Sequence, residues 1–161
     1  MEFKSSYKTT ISDRNIEEIR GWVINEMNKI ESKINDIIIH YFEPIDKDKF
    51  KKIILNSSII SVGGKIKILG NIENFDRKII DKIMKLSSIR NSFAHIPILV
   101  HFDIEKIEDS EGGAEYKLNS FDDKIEVMSS SGKLESKFVR EELEKFESLK
   151  NEITDYINNY C

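Results

Sequence analysis

Cysteine, proline and glycine are scarce in this chain, and long apolar runs are missing. The only cysteine is Cys161, so no disulfide can form within the chain, and a zinc site built on cysteines is excluded. No run of about 18 apolar residues is present, so we expect no membrane span and no membrane partner. The opening sequence MEFKSSYKTT lacks the apolar stretch of a signal peptide, and we therefore expect a cytoplasmic protein.

The residues that are abundant predict a single soluble domain. The chain has 161 residues, of which 34% are charged, and this length suits one domain with a core of its own. No internal repeat and no low-complexity linker divides it. We therefore predict one domain over residues 1–161, mainly α-helical.

The charge is unevenly distributed along the chain. The net charge is −4, yet the stretch from Lys47 to Arg90 contains eleven Lys or Arg and four Asp or Glu, a net of +7. A basic middle in an acidic protein is typical of a local phosphate-binding surface. The alternative is that these lysines cover solvated helix faces. The sequence leaves both interpretations open.

The first long pattern predicts a helix of about seven turns. Ser12 is a suitable N-cap, Ile11 and Ile16 can form a hydrophobic staple across it, and Pro44 ends the helix. Helical spacing is followed by Ile16, Ile19, Val23, Met27, Ile30, Ile34, Ile37, Ile38 and Tyr41. We expect this stripe to face the core.

The stretch from Asp46 to Phe75 carries two overlapping patterns. Helical spacing is followed by Phe50, Ile53, Ile54, Val62, Ile66, Leu69 and Ile72. The segment KIKIL also alternates like a strand. We favour two helices with a bend near Gly63 and Gly64, followed by a helix that Asp76 caps and that runs to about Ala94.

Beyond Pro97 the pattern changes to short β-leaning runs separated by turn residues. ILVHFDIEKI, EYKLNSF and KIEVMS alternate with SEGGA, FDD and SSSG, which predicts two or three antiparallel strands between about Ile98 and Ser136. A final amphipathic helix is predicted by Val139, Leu143, Phe146, Leu149, Ile153, Tyr156, Ile157 and Tyr160. The predicted fold is a helical bundle with a small antiparallel β insertion before the last helix.

An arginine lies on the apolar stripe of the predicted helix that Asp76 caps. Arg90 shares this stripe with Ile79, Ile83, Leu86 and Phe93. A guanidinium keeps its charge, so its place on a packing face is costly unless an anion meets it. His95 follows five residues later, at the predicted end of the helix.

This segment, RNSFAH, resembles the HEPN superfamily (higher eukaryotes and prokaryotes nucleotide-binding domain), many of whose members are metal-independent RNases. The family's R-x4-6-H motif matches at Arg90 and His95, its polar residue after the arginine matches at Asn91, and Ala94 precedes the histidine as in many bacterial members. The resemblance extends more loosely over Ser12 to Ile96. It implies a HEPN-like helical bundle.

The resemblance also implies a function and partners. Two protomers pair through the motif helix, so that two arginines and two histidines share a cleft that RNA phosphate occupies. We expect His95 to take the proton of a ribose 2′-OH, because histidine titrates near neutral pH. Arg90 holds the phosphate oxygens, and Asn91 orients either the histidine or the phosphate. Neither a metal nor another cofactor is needed, and DNA is spared.

The family also implies a setting, and the chain departs from the family in two places. A bacterial defence or toxin–antitoxin role is implied, with an antitoxin or defence protein as a further partner. Some HEPN toxins carry a tyrosine two residues after the histidine, which a partner nucleotidyltransferase modifies. Here that position is Pro97, so we do not expect that modification. The β-leaning insertion exceeds a plain helical bundle.

Two rival functions remain open. One is a non-catalytic HEPN-like module that binds RNA, nucleotide or a protein partner through the same cleft. The other is an interaction protein in which Arg90 forms a salt bridge with a first-helix carboxylate such as Glu26 or Asp36. His40 and His101 are expected to be structural, because neither has the acidic or cysteine neighbours of a metal site.

Overall fold

The computed structural model describes residues 16–108, 114–129 and 131–160. These residues form a mainly helical fold with one small sheet before the last helix, as predicted. The elements in chain order are α1 (Ile16–Phe42), α2 (Lys47–Lys49), a π-helical turn (Phe50–Ile54), α3 (Val62–Leu69), α4 (Arg77–His95), β1 (Ile98–Glu108), β2 (Ala114–Met128), β3 (Leu134–Phe138) and α5 (Val139–Tyr160).

The core lies between the three long helices α1, α4 and α5, which pack against one another. The short helix α3 packs against α1 and α4. Most of the predicted stripe positions are buried: Ile19, Val23, Met27, Ile30, Ile34, Ile37, Ile38, Ile79, Ile83, Leu86, Phe93, Val139, Phe146, Ile153 and Ile157. Tyr41 is an exception, with 46% of its surface exposed. It lies in the last turn of α1, where its ring contacts that of Phe42.

The first helix ends where the sequence predicts. The residue before a proline avoids the α region, and Glu43 before Pro44 adopts a left-handed backbone with φ 43°. The amide N–H of Glu43 donates to the carbonyl oxygen of Ile39 at 2.9 Å. The predicted Ser12 cap and its staple from Ile11 lie outside the described residues.

The predicted second helix takes a different form. Only one short α-helical turn is present, and the chain continues as the π-helical turn, in which the Leu55 N–H donates to the Phe50 carbonyl at 3.0 Å. Ile53 and Ile54 are exposed, whereas Leu55 is buried. The hydrogen bonds of a π-helical turn span one residue more than those of an α-helix, so the regular helix suggested by Phe50, Ile53 and Ile54 is replaced here by a wider turn.

The segment KIKIL is helical, so the strand alternative is wrong. Ser61 caps α3 by accepting a hydrogen bond from the Gly64 N–H. Both glycines lie in the first turn of α3 rather than at a bend between helices. A Cβ on Gly64 would lie 2.8 Å from Cγ2 of Ile60. The chain therefore needs a glycine there for close approach rather than for bending.

A buried ion pair joins α3 to α1. Nζ of Lys65 lies 2.5 Å from Oε1 of Glu31, and the two side chains are 1% and 9% exposed. The Ser57 hydroxyl donates to the same carboxylate oxygen at 2.5 Å. Lys65 was counted in the basic middle of the sequence, but its charge is neutralised inside the fold.

The next long helix, α4, starts at the predicted cap and runs antiparallel to α5. The carboxylate of Asp76 accepts a hydrogen bond from the Lys78 N–H at 2.8 Å. Lys82 forms an ion pair with Glu152. Towards the end of α4, Ile89 lines the same groove as Lys145, which lies nearer the start of α5. Residue numbers thus rise along one helix as they fall along the other.

The three strands form an antiparallel sheet in the order β1–β2–β3. Ile98 pairs with Ile125, and Ile125 pairs in turn with Lys137. Ile125 and Val127 are buried against the helices. At the turn between β2 and β3, Gly132 has φ 77°, a left-handed backbone that glycine adopts without strain. The third strand then runs directly into α5.

Candidate functional site at the end of α4

The motif helix ends at its histidine. His95 is the last residue of α4, and the N–H of Ile96 donates to the carbonyl of Ser92 at 3.0 Å. Ile96 itself is extended, with φ −101° and ψ 135°. Pro97 disfavours the α region for the residue before it and has no N–H to continue the helix. The sequence therefore fixes where the histidine is presented.

Arg90 lies on the buried stripe of α4, and no described residue forms an ion pair with it. Its neighbours on this stripe, Leu86 and Phe93, are fully buried. Nη1 of Arg90 donates to Oδ1 of Asn91 at 2.9 Å, and its buried Nε has no hydrogen-bond partner. Among the described residues no carboxylate pairs with it. A guanidinium in this state is costly, so the position favours an anionic ligand.

The two carboxylates that could have neutralised Arg90 are engaged elsewhere. Glu26 lies 2.6 Å from Nζ of Lys29 and 3.6 Å from Nζ of Lys150. The hydrogen bond from Lys29 lowers the pKa of Glu26 below its usual value. Asp36 is paired with Lys51 at 2.6 Å. The salt bridges expected for a purely structural Arg90 are therefore absent from the described part of the chain.

A second arginine, which the sequence analysis missed, lies beside the end of the motif helix. Nη2 of Arg20 donates to the carbonyl oxygen of Ile96 at 2.9 Å. Its side chain is 25% exposed, and Nη1 lies 4.0 Å from a carboxylate oxygen of Glu17. Its Nε is buried and has no hydrogen-bond partner. The signal was present in the sequence, because Arg20 lies three residues before Val23 at the edge of the apolar stripe of α1.

The other two motif residues face solvent. Asn91 and His95 are exposed and lie four residues apart, so they are neighbours on one face of α4. The imidazole of His95 has no hydrogen-bond partner among the described residues, whereas Oδ1 of Asn91 accepts from Nη1 of Arg90. Arg90 and His95 are separated by about 140° around the helix axis. One copy therefore presents the arginine from the packed side and the histidine from the open side.

The remaining histidines lie away from this cluster. His40 is exposed in the last turn of α1, and the side chain of His101 is outside the described part of the structure. Over the described residues, no group of three His, Cys, Asp or Glu side chains is placed to share a metal ion. None of the helices described combines the length and apolar content that crossing a bilayer requires.

Arg90, Asn91 and His95 thus lie in the last two turns of α4, and Arg20 contacts the segment that follows through the carbonyl of Ile96. The buried Nε atoms of both arginines have no hydrogen-bond partner among the residues that the structure describes. Compared with known proteins, the chain matches no family model, no curated protein and no solved structure.

Proposed function

We propose that this protein is a metal-independent endoribonuclease of the HEPN type that cleaves RNA by attack of a ribose 2′-OH. The observation that carries the proposal is the buried Nε of Arg90, which has no partner among the described residues and lies on an otherwise apolar helix face, five residues before an exposed histidine. A phosphodiester oxygen that contacts the partly exposed remainder of this guanidinium neutralises its charge. The RNxxxH pattern supports the same chemistry by its resemblance to the family.

Each residue has a role that its chemistry allows. His95 accepts the proton of the 2′-OH, and the resulting alkoxide attacks the adjacent phosphorus. The bond from phosphorus to the 5′ oxygen breaks, and that oxygen takes a proton from water as it leaves. Arg90 stabilises the negative charge that grows on the phosphate oxygens. The products are a 2′,3′-cyclic phosphate and a 5′-hydroxyl.

Asn91 links the arginine to the histidine face of the helix. Its carboxamide oxygen accepts from Nη1 of Arg90, while its NH₂ group stays available to the phosphate or the imidazole. We assign it a positioning role. Arg20, which holds the carbonyl of Ile96, fixes the turn that follows His95.

We further propose that two copies pair through α4 in a two-fold dimer. Because Arg90 and His95 leave one helix in directions about 140° apart, a single copy encloses no phosphate between them. In a dimer, the exposed histidine of each copy can face the arginine of the other. The bacterial defence or toxin–antitoxin role is part of the proposal and rests on the family resemblance alone.

A non-catalytic binding module is the second candidate. The observation that favours it is the exposed imidazole of His95, which no described residue orients. Such a module would bind RNA, nucleotide or a protein partner through Arg90 and would be indifferent to the loss of His95. The two functions therefore differ in the effect of one substitution.

The deciding experiment follows a labelled single-stranded RNA in excess EDTA, beside the same sequence with 2′-O-methyl groups throughout. We expect cleavage of the first RNA only. His95→Ala should reduce the rate by about 10²–10⁴-fold, the usual effect of losing acid–base catalysis, and Asn91→Ala should have a milder effect. Cutting of the methylated RNA would refute the 2′-OH mechanism.

Two matched variants separate chemistry from folding. His40→Ala removes an exposed histidine from α1, and Arg77→Ala removes an exposed arginine from the start of α4; both should cleave as wild type. Arg90→Met keeps an apolar stem on the packed stripe, so it should melt at or above the wild-type temperature while losing most activity. Sedimentation shows whether it still dimerises.

A further inference from the structure

A lysine-lined groove lies between α4 and α5. Lys85 lies on α4, Lys137 on the end of β3 and Lys145 on α5, and the apolar side chains of Ile89 and Leu149 also line the groove. We call it the lysine groove. Its volume of about 430 Å³ falls within the range of roughly 300–1,000 Å³ that is usual for ligand sites.

The groove keeps a net positive charge. Of the described residues that line it, the only acidic one is Glu142, which is buried and accepts a hydrogen bond from Lys145 at 2.9 Å. That hydrogen bond and the negative charge of the carboxylate raise the pKa of Lys145. Lys85 and Lys137 have no hydrogen-bond or ion-pair partner among the described residues. Two lysine charges are thus uncompensated in a protein whose net charge is −4.

The lysine groove shares a helix face with the motif. Ser88 lines the groove, and His95 follows it by seven residues, which is two turns or about 10 Å along the same face of α4. Asn91 lies between them. A single-stranded RNA that passes His95 along this face therefore reaches the three lysines without crossing the apolar core.

We propose that the lysine groove binds the phosphate backbone of single-stranded RNA next to the bond that is cut. The statement that the cut bond lies next to the groove rests on the proposed function. The statement that the groove binds RNA rests on the groove's own charges and shape. The lysine ammonium groups contact phosphates, and the apolar surface of Ile89 and Leu149 receives a base or a ribose face. An acidic peptide would satisfy the lysines but would make no use of the path to His95.

The test measures binding without cleavage. A labelled twelve-residue oligouridine with 2′-O-methyl groups is titrated with the full chain in EDTA at 50–200 mM salt, and anisotropy is read. The variant Lys85→Gln/Lys137→Gln removes the two unpaired charges and leaves the pair of Lys145 with Glu142 intact. The control Lys78→Gln/Lys133→Gln removes two exposed lysines, one from α4 and one from the β2–β3 turn.

Each phosphate contact contributes about 0.7 to the slope of log affinity against log salt for single strands. The groove variant should therefore lose about 1.4 from this slope, so that the affinity of the wild type falls about 7-fold more than that of the variant between 50 and 200 mM salt. The control variant should keep the wild-type slope, apart from the small change that removing any two surface charges causes. Equal slopes for wild type and groove variant would overturn the inference. So would displacement of the labelled RNA by a twelve-residue polyglutamate at a lower concentration than the unlabelled RNA needs.

The outcome is separable from that of the cleavage assay. Loss of slope in the groove variant without any RNA cleavage by the wild type would sink the nuclease and keep the groove as an RNA-binding site. Normal cleavage by the wild type together with an unchanged slope would sink the groove alone. Absence of RNA binding by the wild type would overturn both.

Discussion

The buried ion pair between Lys65 and Glu31 makes a strong prediction about stability. Lys65→Met removes the ammonium and keeps most of the side-chain volume. Glu31 would then retain the Ser57 hydroxyl at 2.5 Å but would have lost the cation that neutralises it. Breaking one partner of a buried pair costs about 3–5 kcal/mol, a large part of the roughly 5–15 kcal/mol by which natural domains are stable.

The same reasoning predicts that a second substitution rescues the first. In Lys65→Met/Glu31→Leu no uncompensated charge remains, and well-packed apolar replacements of buried pairs are often neutral or stabilising. We therefore expect the double variant to recover most of the lost free energy of unfolding. The single variants should be strongly non-additive, because the two side chains contact each other.

Urea denaturation at constant m-value measures these differences. In a thermal melt the single variant should lose about 6–20 °C, taking roughly 2–4 °C per kcal/mol for a domain of this size. Arg140→Met is the control, since its ion pair with Glu144 is 60% and 61% exposed and should contribute less than about 1 kcal/mol. A cost below about 1 kcal/mol for Lys65→Met, or a double variant as unstable as the sum of the singles, would refute the reasoning.

Two further predictions concern the glycines of α3 and a carboxylate of α1. Gly63→Ala should raise the free energy of unfolding by up to about 1 kcal/mol through helix propensity, because its added Cβ meets only the Ser61 hydroxyl at 3.8 Å. Gly64→Ala should gain no stability or lose some, because its added Cβ lies too close to Ile60. Equal gains for both variants in parallel urea titrations would contradict this. The hydrogen bond from Lys29 lowers the pKa of Glu26 in the folded state, so this carboxylate stabilises the fold above its unfolded pKa of about 4.3, and the contribution is lost as pH falls through the folded pKa. Glu26→Gln should therefore lose less stability than wild type between pH 7 and pH 3, and equal losses would contradict the assignment.

The long elements were predictable because their patterns are local. The stripes of α1, α4 and α5 repeat over many turns, and Asp76 and Pro97 mark the two ends of the motif helix within a few residues of sequence. The position of His95 followed from these signals. So did the antiparallel strands, since the turn sequence SSSG contains the glycine that adopts a positive φ at Gly132.

The features that sequence reasoning missed depend on distant contacts or on backbone irregularity. Arg20 and Ile96 are 76 positions apart in sequence. Arg20 lies beside the end of the motif helix only because α1 and α4 pack together. Lys65 looked like one more surface charge until α3 placed it against Glu31. The exposed Ile53 follows from a π-helical turn, which no periodicity with a fixed period reveals.

The antiparallel course of α4 and α5 has a consequence for how the sheet belongs to the fold. The end of α4 and the start of α5 are adjacent in space, so these two helices form an αα-hairpin whose connection has been expanded into three strands. Helices in such hairpins are ordinarily joined by about two to five residues. Residues 96–138 therefore occupy the place of a loop, and the cost of closing a loop grows only slowly with its length. Because β2 buries Ile125 and Val127 against the helices, a change in the size of this connection leaves the helix packing intact only where these two side chains keep their places.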